Sequence, residues 1–420
     1  MPPDVREWIP NIRPQKPKAA RGAPAPTCSF PPSFCFIDPL NAYGPLMKFK
    51  DYFGEQAAWT IGRQVAAVFP DFALGAFVAD ASKDMDTLEM LDRVRALSTG
   101  LRAYLPSQVP EALRILERSL PPLLDNCAQI NGGFVQWPIG QFIADYALDD
   151  FEDAFRLMEA LTQRFTSEFA VRPFVARHPA RTFARMQALT AHPSPHLRRF
   201  ASEGVRPRLP WGAKLHALVA DPSPILPILE ALKDDPETYV QRSVANNLND
   251  IAKDHPDLVL DLAGRWLSTA TPARRWIIRH GLRTLVKAGH ARALELQGFN
   301  PIQNIEATLE VAPITLHIGE QADLTLTLSS RATTGEPARL AVDYCVHFVR
   351  SGDKHTTKVF KWKTLALNPS ETTVLRKTHR FAETTIRRLY PGPHAIDIQI
   401  NGQRLATTTI TLDCSKELEV

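Results

Sequence analysis

Several features that mark other protein classes are missing from this sequence. Only 5 of its 420 residues are cysteine, and these neither form a Cys-x-x-Cys pair nor show a spacing typical of metal ligands. No run of about eighteen apolar residues occurs, which argues against a membrane-spanning helix. The first residues, MPPDVREWIP, lack the charged-then-apolar order of a secretory signal. Together these absences predict free thiols, a reducing cytoplasmic location, no metal and no contact with a membrane.

Acidic residues are scarce in two segments of the chain. The net charge is only +4, but between Arg172 and Lys214 nine basic residues accompany a single acid, Glu203. Five basic residues and no acid lie between Arg274 and Lys287. Such one-sided charge within a helical region predicts a polyanionic partner.

Some of these basic residues recur at four-residue spacing, which predicts that each series lies along one helix face. The two series are Arg177, Arg181 and Arg185, and Arg275, Arg279, Arg283 and Lys287. Like charges at this spacing repel each other by about a few tenths of a kcal/mol per pair. Binding to a phosphate backbone offsets that repulsion through counterion release. A solvated helix face is the alternative explanation.

The pattern of apolar residues divides the chain into three parts. Residues 1–46 contain eleven prolines and no helical or strand periodicity, so they predict a disordered tail. Amphipathic patterning begins at Met47, which could therefore be the natural start. In the helical region, 47–302, apolar residues recur every three or four positions, as in LEMLDRVRALSTGL, and prolines separate helices of ordinary length.

The second half of the helical region also repeats. PSPHLRRFASEG, PETYVQRSVANNLND and PARRWIIRHGLRTLV each place a proline ahead of an aliphatic residue and an arginine. The arginines are Arg199, Arg242 and Arg279, which are 43 and 37 residues apart. This spacing suits two-helix repeats of the HEAT kind, in which each pair buries its apolar face against the next. The sequence thus predicts a multidomain protein that begins with an all-α HEAT-like repeat solenoid.

From residue 303 to residue 420 the apolar period changes to two. IEATLEV, ADLTLTLSS and LAVDYCVHFV alternate apolar with polar residues, and turn sequences such as TTGEP and PGP separate roughly seven runs of this kind. This pattern predicts an all-β immunoglobulin-like sandwich. Cys345 and Cys414 lack the spacing of an antibody-type disulfide, so no disulfide is expected.

Three polar-rich strings carry a family resemblance: TSEFAVRPF (166–174), RRFASEGVRPRLPW (198–211) and RSVANNLNDIAKD (242–254). With MKFKDYF and WIIRHGLRTLVKAG, they resemble the AlkC group of HEAT-like-repeat DNA alkylation repair glycosylases, which carry a C-terminal Ig-like domain. The resemblance covers about residues 47–415. RPRLPW and SVANNLNDI are its specific parts, because long polar-rich strings rarely match in the same order by chance.

The resemblance implies an enzyme that hydrolyses the N-glycosidic bond of cationic N3-alkylated bases, such as 3-methyladenine and 3-methylcytosine. It implies double-stranded DNA held in a concave basic groove without flipping of the damaged base. The expected protein is a monofunctional glycosylase, a monomer without a cofactor, and is associated with the bacterial nucleoid.

The family motifs and the basic segments together assign the site residues. The acids expected to act in catalysis are Glu168, Glu203 and Asp250. The residues expected to contact DNA are Trp211, Arg199, Arg206, Arg242, Arg279, Arg283 and Lys287. A second DNA contact is expected on the sandwich, from Arg350, Lys354, Lys358, Lys361, Lys363, Arg387 and Arg388. Gln241 and Gly281 depart from the family pattern, which has Arg and Ala at these positions. The departures put one contact with the DNA backbone and local helix stability in doubt.

Carboxylates suit this chemistry for a physical reason. Alkylation at N3 places a positive charge on the base, and cleavage leaves an oxocarbenium-like sugar that a nearby carboxylate stabilises while it orients water. One such pair at 4 Å and an effective dielectric of 20 contributes about 4 kcal/mol, roughly a thousandfold in rate. Because the leaving base is already cationic, no general acid is required. Nothing in the sequence indicates a lysine nucleophile for lyase chemistry.

Simpler explanations remain for each acid. Glu203 follows Arg199 by four residues, and Glu168 precedes Arg172 by four, so both could form ordinary ion pairs on a helix surface. Asp250 could brace a turn between repeats. At the level of the whole protein, the main alternative is a non-catalytic HEAT-repeat DNA-binding or scaffold protein. Oxidative demethylation would need an iron-binding His/carboxylate triad, which the sequence lacks.

Trp211 and the basic residues of the sandwich have structural alternatives of their own. Trp211 follows Pro210, so it could close a turn within the core rather than offer an exposed stacking surface. The basic residues of the sandwich could simply be solvated.

Overall fold

The computed structural model describes residues 49–124, 133–352, 354–384 and 388–413. The expected tail over 1–46, the start at Met47, and the roles given to Arg387 and Cys414 therefore lie outside the described residues. Two compact units divide the chain, one ending at Leu232 and the other beginning at Lys233. None of the described helices combines the length and the apolarity needed to cross a membrane.

The amino-terminal unit, residues 49–232, is helical. Its described residues form α1 (Glu55–Ala66), α2 (Leu74–Ala81), α3 (Met90–Tyr104), α4 (Val109–Ser119), α5 (Trp137–Tyr146), α6 (Phe151–Thr162), α7 (Arg172–Arg177), α8 (Pro179–Leu189), α9 (Pro195–Glu203), α10 (His216–Ala220) and α11 (Leu226–Leu232). Proline opens α8 and α9, where its missing N–H removes no helical hydrogen bond.

The end of α9 is fixed by close packing. This helix contacts α6, α8 and α11. A Cβ atom on Gly204, which follows Glu203, would lie 2.7 Å from Val171 Cγ1 and 2.8 Å from Met186 Cε. Only glycine fits this approach without displacing its neighbours, and it lets Glu203 come near the segment between α6 and α7.

The carboxy-terminal unit, residues 233–413, begins with further helices. These are α12 (Thr238–Ile251), α13 (Pro256–Leu267), α14 (Pro272–Gly281), α15 (Arg283–Lys287) and α16 (Ala291–Glu295). Helix α12 packs against α14. The expectation that Arg275, Arg279, Arg283 and Lys287 share one helix face is wrong, because α14 ends at Gly281 and Arg283 opens a new helix.

Eight strands follow and form two sheets. They are β1 (Ile305–Ala312), β2 (Thr315–His317), β3 (Gln321–Ser330), β4 (Ala338–Val349), β5 (His355–Leu367), β6 (Thr372–Arg380), β7 (Gly392–Ile400) and β8 (Gln403–Asp413). One sheet has the order β1-β3-β6 and the other β2-β8-β7-β4-β5. Alternate side chains such as Leu324, Leu326, Ile396 and Ile398 fill the core between them. The predicted class, a helical region followed by an immunoglobulin-like sandwich, is confirmed.

The sandwich is joined to the short helices that precede it. Asn401 Nδ2 donates to the Asn300 carbonyl at 2.8 Å, and Gln399 Nε2 donates to the Lys287 carbonyl at 3.2 Å. Gly289 and Gly402, both with positive φ, approach so closely that a Cβ on Gly402 would lie 2.6 Å from the Gly289 oxygen. The expected domain limit at 302/303 thus falls inside one compact unit. Cys345 is a free thiol in this region, and burial raises its pKa to about 11.

Candidate active site

Two carboxylates of the amino-terminal unit meet at one guanidinium. Glu168 lies between α6 and α7, Glu203 ends α9, and Arg199 lies one turn earlier on α9. Arg199 Nη1 is 2.5 Å from Glu168 Oε2, and Arg199 Nη2 is 3.6 Å from Glu203 Oε1. Glu168 and Glu203 are only 8% and 6% exposed. These near-buried acids therefore share one cation, which is more than the surface ion pairs of the simpler explanation.

Arg206, which is expected to contact DNA, lies against Glu203. Its Nη1 donates to Glu203 Oε1 at 2.6 Å, and the residue is only 2% exposed. A guanidinium enclosed in this way is poorly placed to reach a DNA strand. The observed contact is with the Glu203 carboxylate, and the DNA contact expected of Arg206 stays a prediction.

Arg172 holds the loop that follows α9. It donates from Nε to the Ala213 carbonyl at 2.7 Å and from Nη1 to the Arg206 carbonyl at 2.9 Å. The simpler explanation for Glu168 was an ion pair with Arg172. In the structure Glu168 pairs with Arg199 instead. A planar guanidinium can bind several carbonyls at fixed angles, so Arg172 sets the course of residues 204–213.

Trp211 lies on this loop in a left-handed conformation, with φ of 60°. Its ring is 5.7 Å from that of Phe49 and 6.0 Å from that of Trp137. A bulky residue with positive φ is rare and is held only where the surroundings determine it. Trp211 is half-buried, so it both packs in an aromatic cluster and keeps part of its ring at the surface.

His196 lies beside Arg199 in the same helix and is buried. Burial lowers the pKa of His196, and the nearby Arg199 charge lowers it further. The imidazole is therefore mainly neutral near pH 7 and leaves Arg199 as the nearest positive charge to Glu168.

The first basic series is largely neutralised within the protein. Arg181 Nη2 is 2.9 Å from Glu152 Oε1, and its guanidinium lies 4.0 Å from the centre of the Phe151 ring. Arg185 Nε is 2.6 Å from Glu159 Oε1. Acidic residues of α6 thus neutralise two of the three arginines. These two need no phosphate partner to offset their repulsion.

In the carboxy-terminal unit, Asp250 occupies the last turn of α12 and is 2% exposed. Lys253 Nζ donates to Asp250 Oδ1 at 3.0 Å. This bond spans the end of the helix, in line with the bracing role given as its alternative. Gln241, also buried, donates to the Asp235 carbonyl at 2.8 Å. The glutamine that replaces the family arginine therefore stabilises the turn before α12.

The remaining basic residues of this unit differ in exposure. Arg242, Arg279 and Lys287 are exposed, whereas Arg283 is half-buried and donates to Asn246 Oδ1 at 3.0 Å. Burial and the charges of Arg283, Arg242 and Arg279 lower the pKa of His280 to about 4. The exposed charges here are thus carried by arginine and lysine and not by histidine.

On the sandwich, four of the expected basic residues lie along β5 or directly before it and are exposed: Lys354, Lys358, Lys361 and Lys363. Strand β5 is an edge of its sheet. Arg388 is exposed as well, and Arg350 is half-buried. Across the described ranges no group of three or more His, Cys, Asp and Glu residues could hold a metal ion.

Comparison with known proteins places the chain in a family. The family described as "Uncharacterised protein YhaZ, C-terminal Ig-like domain" matches residues 306–414. The "Uncharacterized protein YhaZ" of Bacillus subtilis (strain 168) is 35% identical over 356 residues, which cover 84% of this chain and 96% of that protein. The alkylpurine DNA glycosylase AlkC of Pseudomonas fluorescens, solved bound to DNA containing an abasic site analog, is 36% identical. The match covers 87% of this chain and 99% of that one, with a TM-score of 0.80. The chain belongs to the AlkC family.

Membership of the AlkC family confirms the resemblance carried by RPRLPW and SVANNLNDI. The motifs did not single out several residues that contact the expected site residues, namely Thr166, Arg172, Phe49 and Asn246. Thr166 belongs to the same motif as Glu168, so its position in that motif could have indicated it. No local pattern signals that Phe49 contacts Trp211, because 162 positions separate the two residues.

Proposed function

We propose that the protein is a DNA glycosylase of base excision repair that acts on cationic N3-alkylated bases, with 3-methyladenine and 3-methylcytosine as substrates. It binds double-stranded DNA and hydrolyses one glycosidic bond without lyase chemistry and without flipping the base. The observation that carries the proposal is the Glu168–Arg199–Glu203 arrangement, together with the family of the chain. Two near-buried carboxylates that already hold one cation between them suit the positive charge that develops on a sugar.

The reaction needs little proton transfer to the leaving group. The bond between sugar C1′ and the base nitrogen breaks, and its electron pair neutralises the cationic base. Water adds to C1′ and loses one proton to a carboxylate or to solvent. Glu168 and Glu203 are proposed as the groups that stabilise the sugar and orient this water, and Asp250 as a third acid. Each interaction of this kind is worth about 4 kcal/mol at an effective dielectric of 20.

DNA binding is assigned to exposed groups. We propose that Arg242, Arg279 and Lys287 contact phosphates and that the exposed part of Trp211 packs against the damaged strand. The lysines of β5 are proposed as a second contact. Arg199 is proposed to leave Glu168 when the substrate cation arrives, and the half-buried Arg283 is proposed as a further DNA contact.

Base release from modified DNA tests the proposal. Purified protein is incubated with duplexes that carry 3-methyladenine or 7-methylguanine, and the released bases are quantified. We expect release of 3-methyladenine, with single-turnover rates lowered about a thousandfold in Glu168→Gln and Glu203→Gln. DNA affinity should stay equal or rise, because an anion leaves a basic environment. Glu152→Gln is the matched control, since Glu152 is exposed and pairs with Arg181.

Two results would contradict the proposal. Absence of base release from every alkylated duplex, with DNA binding intact, would favour a non-catalytic DNA-binding protein. Wild-type rates in Glu168→Gln or Glu203→Gln would remove that residue from the catalytic set.

A further inference from the structure

The hydroxyl of Thr166 lies at the centre of the Glu168–Arg199 contact. Thr166 Oγ1 is 2.8 Å from Glu168 Oε2, 3.0 Å from Arg199 Nη1 and 3.3 Å from the Glu168 backbone nitrogen. The residue is 8% exposed. One side chain of the 166–168 turn thus touches both members of the ion pair.

The donors and acceptors fix the direction of every bond. A threonine hydroxyl has one proton to donate and two lone pairs that accept. The guanidinium of Arg199 and the backbone N–H of Glu168 can only donate, so they occupy both lone pairs. The proton of Thr166 is left with one acceptor, the Glu168 carboxylate.

Thr166 and Arg199 contact the same oxygen of Glu168. The Thr166 hydroxyl and the nearest Arg199 nitrogen both lie against Oε2. The Glu168 side chain keeps 11% exposure. Two contacts on one oxygen restrict the rotation of the carboxylate.

We propose that Thr166 is a positioning residue of the active site, which fixes the rotation of the Glu168 carboxylate that acts on the substrate. The inference rests on the proposed glycosylase function and deepens it. Because Arg199 also binds the Thr166 hydroxyl, it keeps a partner when the substrate cation draws Glu168 away. Thr166 thus guides both residues without touching the reacting atoms.

An isosteric substitution tests this role. Thr166→Val keeps the β-branched shape and removes the hydroxyl, and Thr166→Ser restores it. At saturating enzyme, we expect single-turnover base release to fall about tenfold or more in Thr166→Val, in line with loss of a hydrogen bond to a charged group. The dissociation constant for DNA should stay within about twofold, and Thr166→Ser should recover most of the rate.

Thr182→Val supplies the matched control. Thr182 is fully buried and donates to the Phe174 carbonyl at 3.0 Å, without contact to either glutamate or to Arg199. Thr182→Val also loses a buried hydroxyl hydrogen bond, here to a neutral carbonyl, and we expect its rate at saturation to match wild type. A positioning role therefore separates the two valine variants, whereas a purely structural role does not.

The possible failures are distinguishable. If Thr166→Val releases base at the wild-type rate while Glu168→Gln is inactive, the inference about Thr166 is overturned and the proposed function stands. An equal loss of rate in Thr166→Val and Thr182→Val also overturns it, since both then act through stability. If Glu168→Gln itself is fully active, the proposed role of Glu168 fails first.

Discussion

The arginines expected to act at the site are more enclosed in one compact unit than in the other. In the amino-terminal unit, Glu168, Glu203 and Arg206 are nearly buried and are joined by short contacts. The carboxy-terminal unit leaves Arg242 and Arg279 at its surface. Its helical and β parts are joined instead by neutral contacts, among them the approach of Gly289 to Gly402. Basic density along a sequence therefore has two meanings, an internal charge network in one unit and an exposed cationic surface in the other.

The difference matters for function because enclosed charges are oriented and exposed charges are mobile. A buried guanidinium such as Arg206 can hold a carboxylate at a fixed angle, which electrostatic catalysis needs. An exposed arginine gives binding that depends on salt and tolerates any sequence. The first arrangement suits chemistry at one lesion, and the second suits a uniform phosphate backbone.

The largest expected effect comes from breaking the enclosed network. Arg206→Met removes the 2.6 Å contact of the buried Glu203 and leaves its longer ion pair with Arg199 at 3.6 Å. We expect the free energy of unfolding to fall by about 3–5 kcal/mol, as when one partner of a buried pair is removed. Urea titration followed by circular dichroism measures it. Arg279→Ala, at an exposed position, should change stability by no more than about 0.5 kcal/mol. Equal stabilities for the two variants would show that Arg206 is not part of an enclosed network.

Much of this organisation is predictable from the sequence. The features that could not be predicted share one physical cause. The change of apolar period near residue 303 identified both fold classes because local backbone geometry sets the period. The role of Arg206 was not predictable, since the sequence says that it is basic but not whether it is covered. Likewise the close approach of Gly281 to α12, where a Cβ would lie 3.1 Å from Leu248 Cβ, could not be predicted. Tertiary contacts of this kind leave no periodic signal.

The site shows the same division. The motif with Glu168 named the acid and contained Thr166, but the direction of the hydroxyl bond required the position of Arg199, 33 residues later. Arg181 and Arg185 look like a DNA-binding stripe until Glu152 and Glu159 of another helix are placed beside them. Partner choice across helices is set by packing, so charge spacing within one helix could not reveal it.

A smaller effect tests how the carboxy-terminal unit is joined. In Gly402→Ala the new Cβ would meet backbone atoms of Gly289 at 2.6–3.0 Å, at a φ of +81°. Gly335→Ala is the control, because Gly335 also has a positive φ, of +114°, and has nothing within 4 Å of its added Cβ. Both should lose about 1–2 kcal/mol from the left-handed conformation. We expect Gly402→Ala to lose about 1–3 kcal/mol more from overpacking. Equal losses of unfolding free energy in the two variants, measured by urea titration, would mean that the backbone at this contact shifts at little cost.

The smallest effect concerns the exposed surface and follows from the proposed binding to DNA. Replacing Arg242 and Arg279 together with Ala should weaken binding to any duplex, by about tenfold at moderate salt, which corresponds to about 1.4 kcal/mol. A plot of log affinity against log salt should become flatter by about 0.9 for each lost phosphate contact. The matched variant replaces Arg181 and Arg185, which have the same chemistry but already pair with Glu152 and Glu159. Because those charges are neutralised within the protein, their removal releases few counterions and should leave the slope unchanged. Fluorescence anisotropy of a labelled undamaged duplex, measured at several salt concentrations, gives both slopes. If the Arg181/Arg185 variant lost slope and the Arg242/Arg279 variant did not, the assignment of the cationic surface to the carboxy-terminal unit would be wrong.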